Sequence, residues 1–392
     1  MPRARSTRVH VPAEVLQIVE VLVAAGYEAW CVGGALRDSL LGEEQSDFDV
    51  ATSATPDQVR SLFSRTIAVG EQYGTIGVLD RHRRLHEVTT FRRDVSTDGR
   101  RAVVAWGVSL EDDLARRDFT INAIAYQPLT GEWRDPFGGA DDLAARVLRA
   151  VGTPAERFRE DYLRILRAVR FAARFGLSID PATWDAACRE SPGLAGLSAE
   201  RVRDEWFKGL RTAADVGELV RLWREVGAAA IWLPGLAAEV PPSLSKRPRD
   251  PVLLSVALLD GSGDVLRRLR ASNAEIARAE AAEAGRDMPV EAGDEGARRW
   301  LARVGGAADD LLQLWELSRG TPAPWGDAVR GVRERREPTA RKDLAVTGGD
   351  LLARGLRGPA VGDALDLLLD RVLHDPSLNQ RDTLLSLLEP PA

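Results

Sequence analysis

The sequence is poor in the residue types that build disulfide frameworks, zinc sites and membrane spans. Its 392 residues include only two cysteines and four histidines. Two cysteines cannot form a disulfide framework, and no cysteine–histidine cluster has zinc-binding spacing, so a reducing compartment is expected. Apolar runs of roughly 18 residues, the length of a membrane-spanning helix, are also missing. We therefore expect a soluble cytoplasmic protein that does not associate with membranes.

The scarcity of histidine decides the interpretation of His374-Asp375, a pair that resembles half of a metal phosphohydrolase site. Such a site needs several histidines near each other in the sequence, whereas the other three stand at positions 10, 82 and 86. We interpret His374 as a loop or helix-end residue and predict no phosphohydrolase activity.

Positive charge is concentrated in one segment, although the chain as a whole is acidic, with a formal net charge of −6. Between positions 157 and 174, six arginines stand against two acidic residues. Nucleotide and nucleic-acid binding depend on local patches rather than on total charge. This segment is therefore a candidate site for an anionic ligand.

A glycine turn leads into the first candidate site. Residues 28–32 and 48–51 are predicted as strands, and between them Gly33-Gly34 opens a predicted helix that carries Arg37. Glycine lets the backbone approach phosphates closely, the first N–H groups of a helix have no internal partner, and a guanidinium forks onto phosphate oxygens. We interpret Gly33, Gly34 and Arg37 as a triphosphate-binding corner.

Two aspartates, Asp47 and Asp49, follow this corner. Side chains alternate along a strand, so both carboxylates point to the same side while Phe48 turns into the core. Mg²⁺ prefers oxygen ligands and bridges carboxylates to substrate phosphates, and two such ions clamp an in-line displacement. We predict that Asp47 and Asp49 are catalytic, Mg²⁺-binding residues of nucleotidyl transfer. Glu87, in the strand-like segment 86–91, is either a third metal ligand or an ordinary cross-strand charge.

A predicted helix at 161–175 places its arginines on one side. At about 100° per residue they fall within an arc of roughly 120°, opposite a mostly apolar side. The arginines of this arc are Arg164, Arg167, Arg170 and Arg174.

Asp161 and Arg164, one turn apart on this helix, form a donor–acceptor pair. The carboxylate accepts from the exocyclic amine of cytosine or adenine, and the guanidinium donates to the adjacent ring nitrogen. Guanine and uracil present the opposite polarities. We therefore predict that Asp161 and Arg164 select CTP and ATP.

Taken in order, these motifs resemble those of class II tRNA nucleotidyltransferases, the CCA-adding enzymes, and of bacterial poly(A) polymerases. The stretches that carry the resemblance are Gly33 to Asp38 with Asp47-Phe48-Asp49, Arg116 to Ala123, Asp135 to Gly139 with Asp141-Asp142-Leu143, Glu160 to Arg164, and Ser198 to Glu205. A looser similarity to the carboxy-terminal tail of the family covers Val346 to Leu352.

The resemblance implies an α+β fold. It consists of an N-terminal nucleotidyltransferase domain of the polymerase β type with a small mixed sheet, followed by an all-α neck, body and tail. The sequence agrees, because apolar residues recur at three and four positions beyond Leu143. We place the catalytic head at 1–145, the base-recognising neck at 146–215, the body at 216–335 and the tRNA-binding tail at 336–392.

The resemblance also implies the reaction: template-independent transfer of CMP and AMP from CTP and ATP to the 3′ end of tRNA, with Mg²⁺ and release of pyrophosphate. We infer no obligate protein partner. Arg117 is expected to contact the triphosphate, Asp118 the ribose hydroxyls or the motif's own scaffold, and Asn122 the ribose or a strand end. Arg167 and Arg170 are expected to contact the nucleotide or its phosphates.

Two neighbouring segments are predicted to be a loop and a solvent-facing side of a helix. Residues 92–101 are polar, contain glycine and lack helical period, which predicts a mobile loop; the resemblance associates such a loop with addition of the terminal A. Asp112, Asp113 and Arg116 are interpreted as the solvated side of a helix.

Three alternatives stay open at this point. The runner-up function is that of a poly(A) polymerase, from whose pattern Glu71-Gln72-Tyr73 departs. A tRNA enzyme that adds only CC or only A fits the same motifs. A noncatalytic RNA-binding protein descended from such an enzyme is disfavoured, because both aspartates are retained.

Overall fold

The computed structural model describes residues 9–43, 48–70, 74–97, 102–246, 249–286 and 290–388. The chain divides into two compact units, Met1–Pro234 and Gly235–Ala392. The strands lie in the first unit and the second is helical. Among the described residues, no helix combines the length and the apolar character needed to cross a bilayer.

The strands of the first unit are β1 (Ala29–Val32), β2 (Asp49–Thr52), β3 (Thr66–Gly70), β4 (Thr75–Leu79), β5 (Leu85–Thr90), β6 (Arg92–Thr97), β7 (Ala102–Trp106), β8 (Ala125–Gln127), β9 (Glu132–Arg134), β10 (Val147–Leu148) and β11 (Ser178–Ile179). A seven-stranded sheet has the order β3-β4-β5-β2-β1-β8-β9. In it β2 and β5 are parallel and the other neighbours are antiparallel. The mixed sheet predicted for the amino-terminal part is therefore confirmed.

The helices of the first unit are α1 (Ala13–Ala24), α2 (Gly34–Leu41), α3 (Pro56–Leu62), α4 (Leu110–Ala115), α5 (Gly139–Ala144), α6 (Pro154–Glu160), α7 (Leu163–Phe175), α8 (Pro181–Glu190), α9 (Ala199–Thr212), α10 (Val216–Glu225) and α11 (Ala228–Trp232). Those of the second unit are α12 (Pro251–Leu258), α13 (Ser262–Arg268), α14 (Asn273–Gly285), α15 (Gly293–Val304), α16 (Ala308–Arg319), α17 (Gly326–Glu334), α18 (Gly348–Ala353), α19 (Pro359–His374) and α20 (Arg381–Ser386). The helical character predicted beyond the head is confirmed.

The two faces of the seven-stranded sheet are covered by different helices. Alternation along β1 sends Cys31 to one face, where it shares a core with Ile18 of α1. Val32 points to the other face and shares a core with Leu114 of α4. Asp49 is the antiparallel partner of Val32, and directly paired residues point to the same side. The Asp49 side chain therefore lies on the α4 face.

The third motif is a scaffold for the second. Asp135 accepts hydrogen bonds of 2.7 and 2.9 Å from two backbone N–H groups at the start of α5. In α5, Asp142 accepts from Oγ1 of Thr120 at 2.7 Å. Gly139 approaches the Thr120 carbonyl so closely that a Cβ at position 139 would lie 2.1 Å from its oxygen. These contacts fix the 3₁₀ turn Thr120–Asn122 on α5.

The arginine helix begins later than the sequence pattern indicates. α7 starts at Leu163, and Asp161 has an extended backbone, with φ −157° and ψ 104°, at the end of α6. The prediction of a continuous helix from Asp161 is therefore wrong at its start. Oδ1 of Asp161 accepts a hydrogen bond from the N–H of Leu163 at 3.1 Å, a local bond that competes with helical geometry.

The segment predicted as a mobile loop, 92–101, contains the strand β6, which pairs with β7 just beyond the segment. β6 and β7 form an antiparallel pair whose register shifts between Asp94 and Ser96, while residues 98–101 lie outside the described ranges. The expectation of an irregular segment over 92–101 is therefore wrong for 92–97. The sequence carries the signal, because Asp98-Gly99 is a dipeptide typical of hairpin turns between β-prone residues.

A buried arginine attaches the last long helix of the second unit. Arg298 of α15 donates to the carbonyl oxygens of Leu373 at 2.7 Å and His374 at 3.1 Å, and to Oε2 of Glu337 at 2.6 Å. It thus satisfies carbonyls that have no partner inside α19. His374 is the last residue of α19, which confirms its interpretation as a helix-end residue.

We predict that Gly139→Ala lowers the free energy of unfolding by about 1–3 kcal/mol, because the new methyl group overlaps a backbone carbonyl that cannot rotate away. Gly362→Ala in α19 is the control. A Cβ there meets nothing within 4 Å, so this variant should be more stable than the parent by up to about 1 kcal/mol. Urea unfolding of both variants measures the difference. Equal stability of Gly139→Ala and the parent would contradict the close contact.

Candidate active site

A cavity of about 720 Å³ in the first unit brings most of the predicted site residues together, and its volume is typical of small-molecule sites. The predicted residues in its lining are Gly33, Gly34, Arg37, Asp49, Arg117, Asp118, Asn122, Asp161, Arg164, Arg167 and Arg170. Ten lining side chains are cationic and three are carboxylates. The cavity therefore suits a polyanionic ligand. Asp47 lies outside the described residues.

The amino terminus of α2 forms one corner of this cavity. Gly33 has φ 78°, a conformation open to glycine but rarely adopted by other residues, and it turns the chain from β1 into α2. A Cβ at position 33 would lie 3.3 Å from Nη1 of Arg117 and 3.5 Å from Oδ2 of Asp49. Asp49 and Arg117 therefore meet at a helix amino terminus, where unpaired N–H groups favour an anion.

Arg37 lies beneath this corner, bonded to protein groups. Nε and Nη2 donate to Oδ1 of Asp38 at 2.8 and 2.6 Å, and Nη1 donates to Oδ1 of Asn122 at 2.7 Å. The guanidinium also lies 5.1 and 4.7 Å from the ring centroids of Phe171 and Phe175. Only 4% of Arg37 is exposed, so it connects α2, the 3₁₀ turn and α7. The phosphate contact predicted for Arg37 stays a prediction.

Behind the cavity wall, Asp113 binds two of the lining arginines. Oδ1 accepts from Nε and Nη2 of Arg116 at 3.0 and 2.8 Å, and Oδ2 accepts from Nη2 of Arg117 at 3.2 Å. Burial acts to raise the pKa of Asp113, but the charges of Arg116 and Arg117 outweigh it and hold the pKa below its ordinary value. The assignment of Asp113 to a solvated helix side is wrong, since only 1% of it is exposed. Asp112, the residue before it, forms the capping box of α4 with the N-cap residue Ser109.

Asp118 connects the second motif to α7. Oδ1 accepts from the N–H of Phe119 and from Nδ2 of Asn122, both at 2.9 Å. Oδ2 accepts from Nε of Arg167 at 2.7 Å. Burial acts to raise the pKa of Asp118, and the Arg167 charge with these hydrogen bonds lowers it below its ordinary value. The contacts are those of a scaffold residue; contact with the ribose stays a prediction.

Asp161 and Arg164 line the same cavity, each oriented by a different partner. Oδ2 of Asp161 accepts from Nη2 of Arg201 in α9 at 2.6 Å. Arg164 donates from Nη1 to Oε2 of Glu160 at 2.6 Å and from Nη2 to the carbonyl oxygen of Arg116 at 3.0 Å. Both groups of the predicted base-reading pair are therefore held in place by the protein.

A second buried pair joins α7 to α9. Nε of Arg170 donates to Oε2 of Glu205 at 2.5 Å, and both residues are buried. The guanidinium groups of Arg170 and Arg167 lie 4.2 and 5.2 Å from the centroid of the Phe171 ring. Cation–π contact adds to the pairing with carboxylates. The arginine arc predicted for α7 thus faces the cavity, whose lining includes Arg164, Arg167, Arg170 and Arg174.

The oxygen donors on the α4 face of the sheet suit a hard divalent cation. β2 and β5 pair in parallel with Val50 opposite Val88. Asp49 and Glu87 each precede this pair by one residue, so alternation places both side chains on the same face. Over the ranges that the structure describes, no group of three histidine, cysteine, aspartate or glutamate side chains is arranged to hold a metal. Asp47, the expected further ligand, falls outside them.

Sequence reasoning found the arginines and missed the side chains that hold them. The acidic or basic partners to which no role was assigned are Asp38, Asp113, Arg201 and Glu205. Pairs that cross between elements are 35 to 49 positions apart, beyond the reach of local spacing rules. For these distant pairs the available signal was the presence of Arg201 and Glu205 in the fifth motif. Asp113, in contrast, stands three and four positions before Arg116 and Arg117, a spacing typical of ion pairs on a helix.

Two family models match parts of the chain between residues 29 and 240. The family model described as "Poly A polymerase head domain" matches residues 29–149. A second model, "Probable RNA and SrmB- binding site of polymerase A", matches residues 176–240. The first match lies in the first unit and the second extends six residues beyond it. Together they contain the cavity residues of both the sheet and α9.

Similar proteins match over nearly their full length. The CCA-adding enzyme of Latilactobacillus sakei subsp. sakei (strain 23K) is 36% identical over 392 residues, covering 95% of this chain and 96% of that protein. The CCA-adding enzyme of Geobacillus stearothermophilus is 34% identical over 385 residues, covering 94% of each. The crystal structure of the Bacillus stearothermophilus CCA-adding enzyme in complex with CTP has a TM-score of 0.80, with 96% of this chain and 94% of that chain covered.

We predict that Asp118→Asn lowers the free energy of unfolding at pH 7 by about 1–3 kcal/mol, because Arg167 loses its anionic partner. The pKa of Asp118 lies below its ordinary value of 3.8 in the folded chain. Its contribution to stability is therefore complete above that value and is lost as the pH falls through the lowered pKa.

The difference between the parent and Asp118→Asn should accordingly shrink in acid, as measured by denaturant unfolding at pH 7, 5 and 3. Asp141→Asn removes an exposed carboxylate of α5 and should change stability by less than about 0.5 kcal/mol at each pH. A difference for Asp118→Asn that grows as the pH falls would contradict the ion pair.

Proposed function

This chain belongs to the CCA-adding enzymes, and on that premise we propose that it transfers CMP and AMP from CTP and ATP to the 3′ end of tRNA, building or repairing the CCA terminus. The observation that carries this function is the match to named CCA-adding enzymes over nearly the whole length of both chains. The cavity supports it, because one space contains a helix amino terminus, an acidic strand end and a pair of groups able to read a base edge.

The reaction is an in-line displacement at phosphorus. The 3′-hydroxyl oxygen of the RNA loses its proton to solvent and forms a bond to the α-phosphorus. The bond from that phosphorus to the bridging oxygen breaks, and pyrophosphate leaves. Catalysis consists of positioning and charge neutralisation. The backbone N–H groups after Gly33 and the guanidinium of Arg117 bind the phosphates. Arg37 supports this corner from below through its hydrogen bonds to Asp38 and Asn122.

We assign Mg²⁺ to Asp47 and Asp49, with Glu87 as a further candidate ligand. Family members depend on a divalent metal, and carboxylate oxygens are the donors that Mg²⁺ prefers. When bound, the ion lowers the pKa of the attacking hydroxyl and neutralises triphosphate charge. The position of Glu87 beside Asp49 on the α4 face of the sheet supports its inclusion.

Asp161 and Arg164 select the base in this proposal. Each carboxylate oxygen of Asp161 carries two lone pairs, so its bonds to Leu163 and Arg201 leave capacity to accept from an exocyclic amine. Arg164 donates to the adjacent ring nitrogen of cytosine or adenine. Arg201 and Glu160 orient the pair, and no nucleic-acid template is required.

The remaining parts of the proposal concern organisation and location. We retain the four segments 1–145, 146–215, 216–335 and 336–392 as head, neck, body and tail, with the tail binding tRNA. The burial of Arg298 against the end of α19 supports a tail that is attached to the body. Two cysteines and a tRNA substrate favour a cytoplasmic location.

The function is tested with tRNAs that end before the first C, after the first C and after the second C, each given CTP or ATP separately and then sequenced. Products that stop at CCA support the proposal. A homopolymeric A tail on any RNA would instead identify a poly(A) polymerase. Addition of only CC or only A would identify a partial tRNA enzyme.

In this assay Asp49→Ala should lower kcat by about a thousandfold or more, because one of the two carboxylates assigned to Mg²⁺ is removed. The control is Asp57→Ala, which removes an exposed carboxylate of α3 and should leave the rate unchanged. Undiminished extension by Asp49→Ala would show that the metal assignment is wrong.

Arg164→Ala should reduce the preference for CTP and ATP over UTP by about tenfold or more, since one bidentate base contact is worth roughly 1–3 kcal/mol of discrimination. The ratios of kcat/KM for the three nucleotides measure the effect. Arg221→Ala, an exposed arginine of α10, should keep the parent ratios. If Arg164→Ala also kept them, base reading by this residue would be excluded.

A further inference from the structure

Asp113 accepts hydrogen bonds from three arginine residues, and the proposed mechanism gives it no role. It is 1% exposed and lies in α4, outside the cavity lining. A buried carboxylate is costly unless its oxygens are fully paired. Here Oδ1 accepts both Nε and Nη2 of Arg116 and, at 3.3 Å, the backbone N–H of Arg92, and Oδ2 accepts Nη2 of Arg117. One carboxylate thus joins α4, the start of β6 and two cavity arginines.

The bond to Arg117 fixes which edge of its guanidinium faces the cavity. Nη2 is turned to Asp113 at 3.2 Å, and Nη1 donates to the carbonyl oxygen of Asn122 at 3.3 Å. The same Nη1 would lie 3.3 Å from a Cβ on Gly33. Asp113 therefore orients Nη1 toward the corner where Gly33 and Asp49 meet.

Without its hydrogen bond to Asp113, the Arg117 side chain would not be held toward the corner. An arginine side chain has several rotatable bonds and loses up to about 2 kcal/mol of rotamer entropy when a ligand orders it. Holding Arg117 from behind avoids this loss of rotamer entropy before the substrate arrives.

We propose that Asp113 is a positioning residue for triphosphate binding, acting through Arg117 without touching the nucleotide. This inference rests on the proposed function, because it takes the Gly33–Asp49 corner as the phosphate site. It assigns a role to a side chain that local pattern places on a solvated helix surface.

The test measures binding in solution, so that it does not depend on RNA extension. CTP and inorganic pyrophosphate are titrated calorimetrically, with Mg²⁺ present, into the full-length parent and into Asp113→Asn, which keeps the shape and removes the charge. The dissociation constants of both ligands should rise by about 10- to 100-fold, the range observed when a partner that orients a metal-binding side chain is removed. The affinity for tRNA should stay within about twofold of the parent.

A double-mutant cycle separates positioning from general damage. In an Arg117→Ala background, Asp113→Asn should raise the dissociation constant of CTP by less than about threefold, because the group it positions is gone. Glu111→Gln removes an exposed charge from the same helix and should bind CTP like the parent. Asp113→Glu keeps the charge on a longer side chain and should restore part of the lost affinity.

Two outcomes overturn the inference: unchanged CTP affinity in Asp113→Asn, or the same loss with and without Arg117. If Asp113→Asn does not fold, Asp113→Glu against the parent and the Arg117→Ala background gives the same comparison. A parent that binds CTP and extends no tRNA would refute the proposed function alone. The two failures are therefore distinguishable.

Discussion

The ion pair between Asp118 and Arg167 is the contact on which the cavity depends, because it joins the part of the first unit that contains the sheet to the helix that carries the arginine arc. Guanidinium groups crowded into one cavity repel each other, and burial penalises each charge further. The protein offsets both effects by pairing several of these groups with buried carboxylates, some of which bind two arginines. Asp113 likewise pairs with Arg117, and Glu205 pairs with Arg170.

Pairing with carboxylates also sets the geometry of the cavity in advance. An arginine held at one edge by a buried acid presents its other edge in a fixed direction, so less rotamer entropy is lost when a ligand binds. Arg117 at the α2 corner is held in this way by Asp113, and Arg164 at the start of α7 is held by the half-buried Glu160. The Gly33–Asp49 corner and the predicted base-reading groups are therefore both oriented by protein contacts.

Features that depend on neighbouring residues could be predicted from the sequence. Strand alternation placed Asp49, and helical periodicity placed the arginines of α7 on the cavity side. The hairpin at β6–β7 was missed although Asp98-Gly99 signals it, and the start of α7 was misplaced because a side-chain bond from Asp161 replaces the first turn. The burial of Asp113 could not be predicted, because it depends on how α4 packs beside the sheet.

The cavity is assembled from residues between positions 33 and 208, and this long span has a consequence for synthesis. Proteins are made from the amino terminus, so a nascent chain that lacks α9 has Arg170 without Glu205 and Asp161 without Arg201. Contacts between distant positions also form slowly, since closing long loops costs entropy. The Gly33–Asp49 corner is thus synthesised early, whereas the complete lining of the cavity is available only after α9 has emerged.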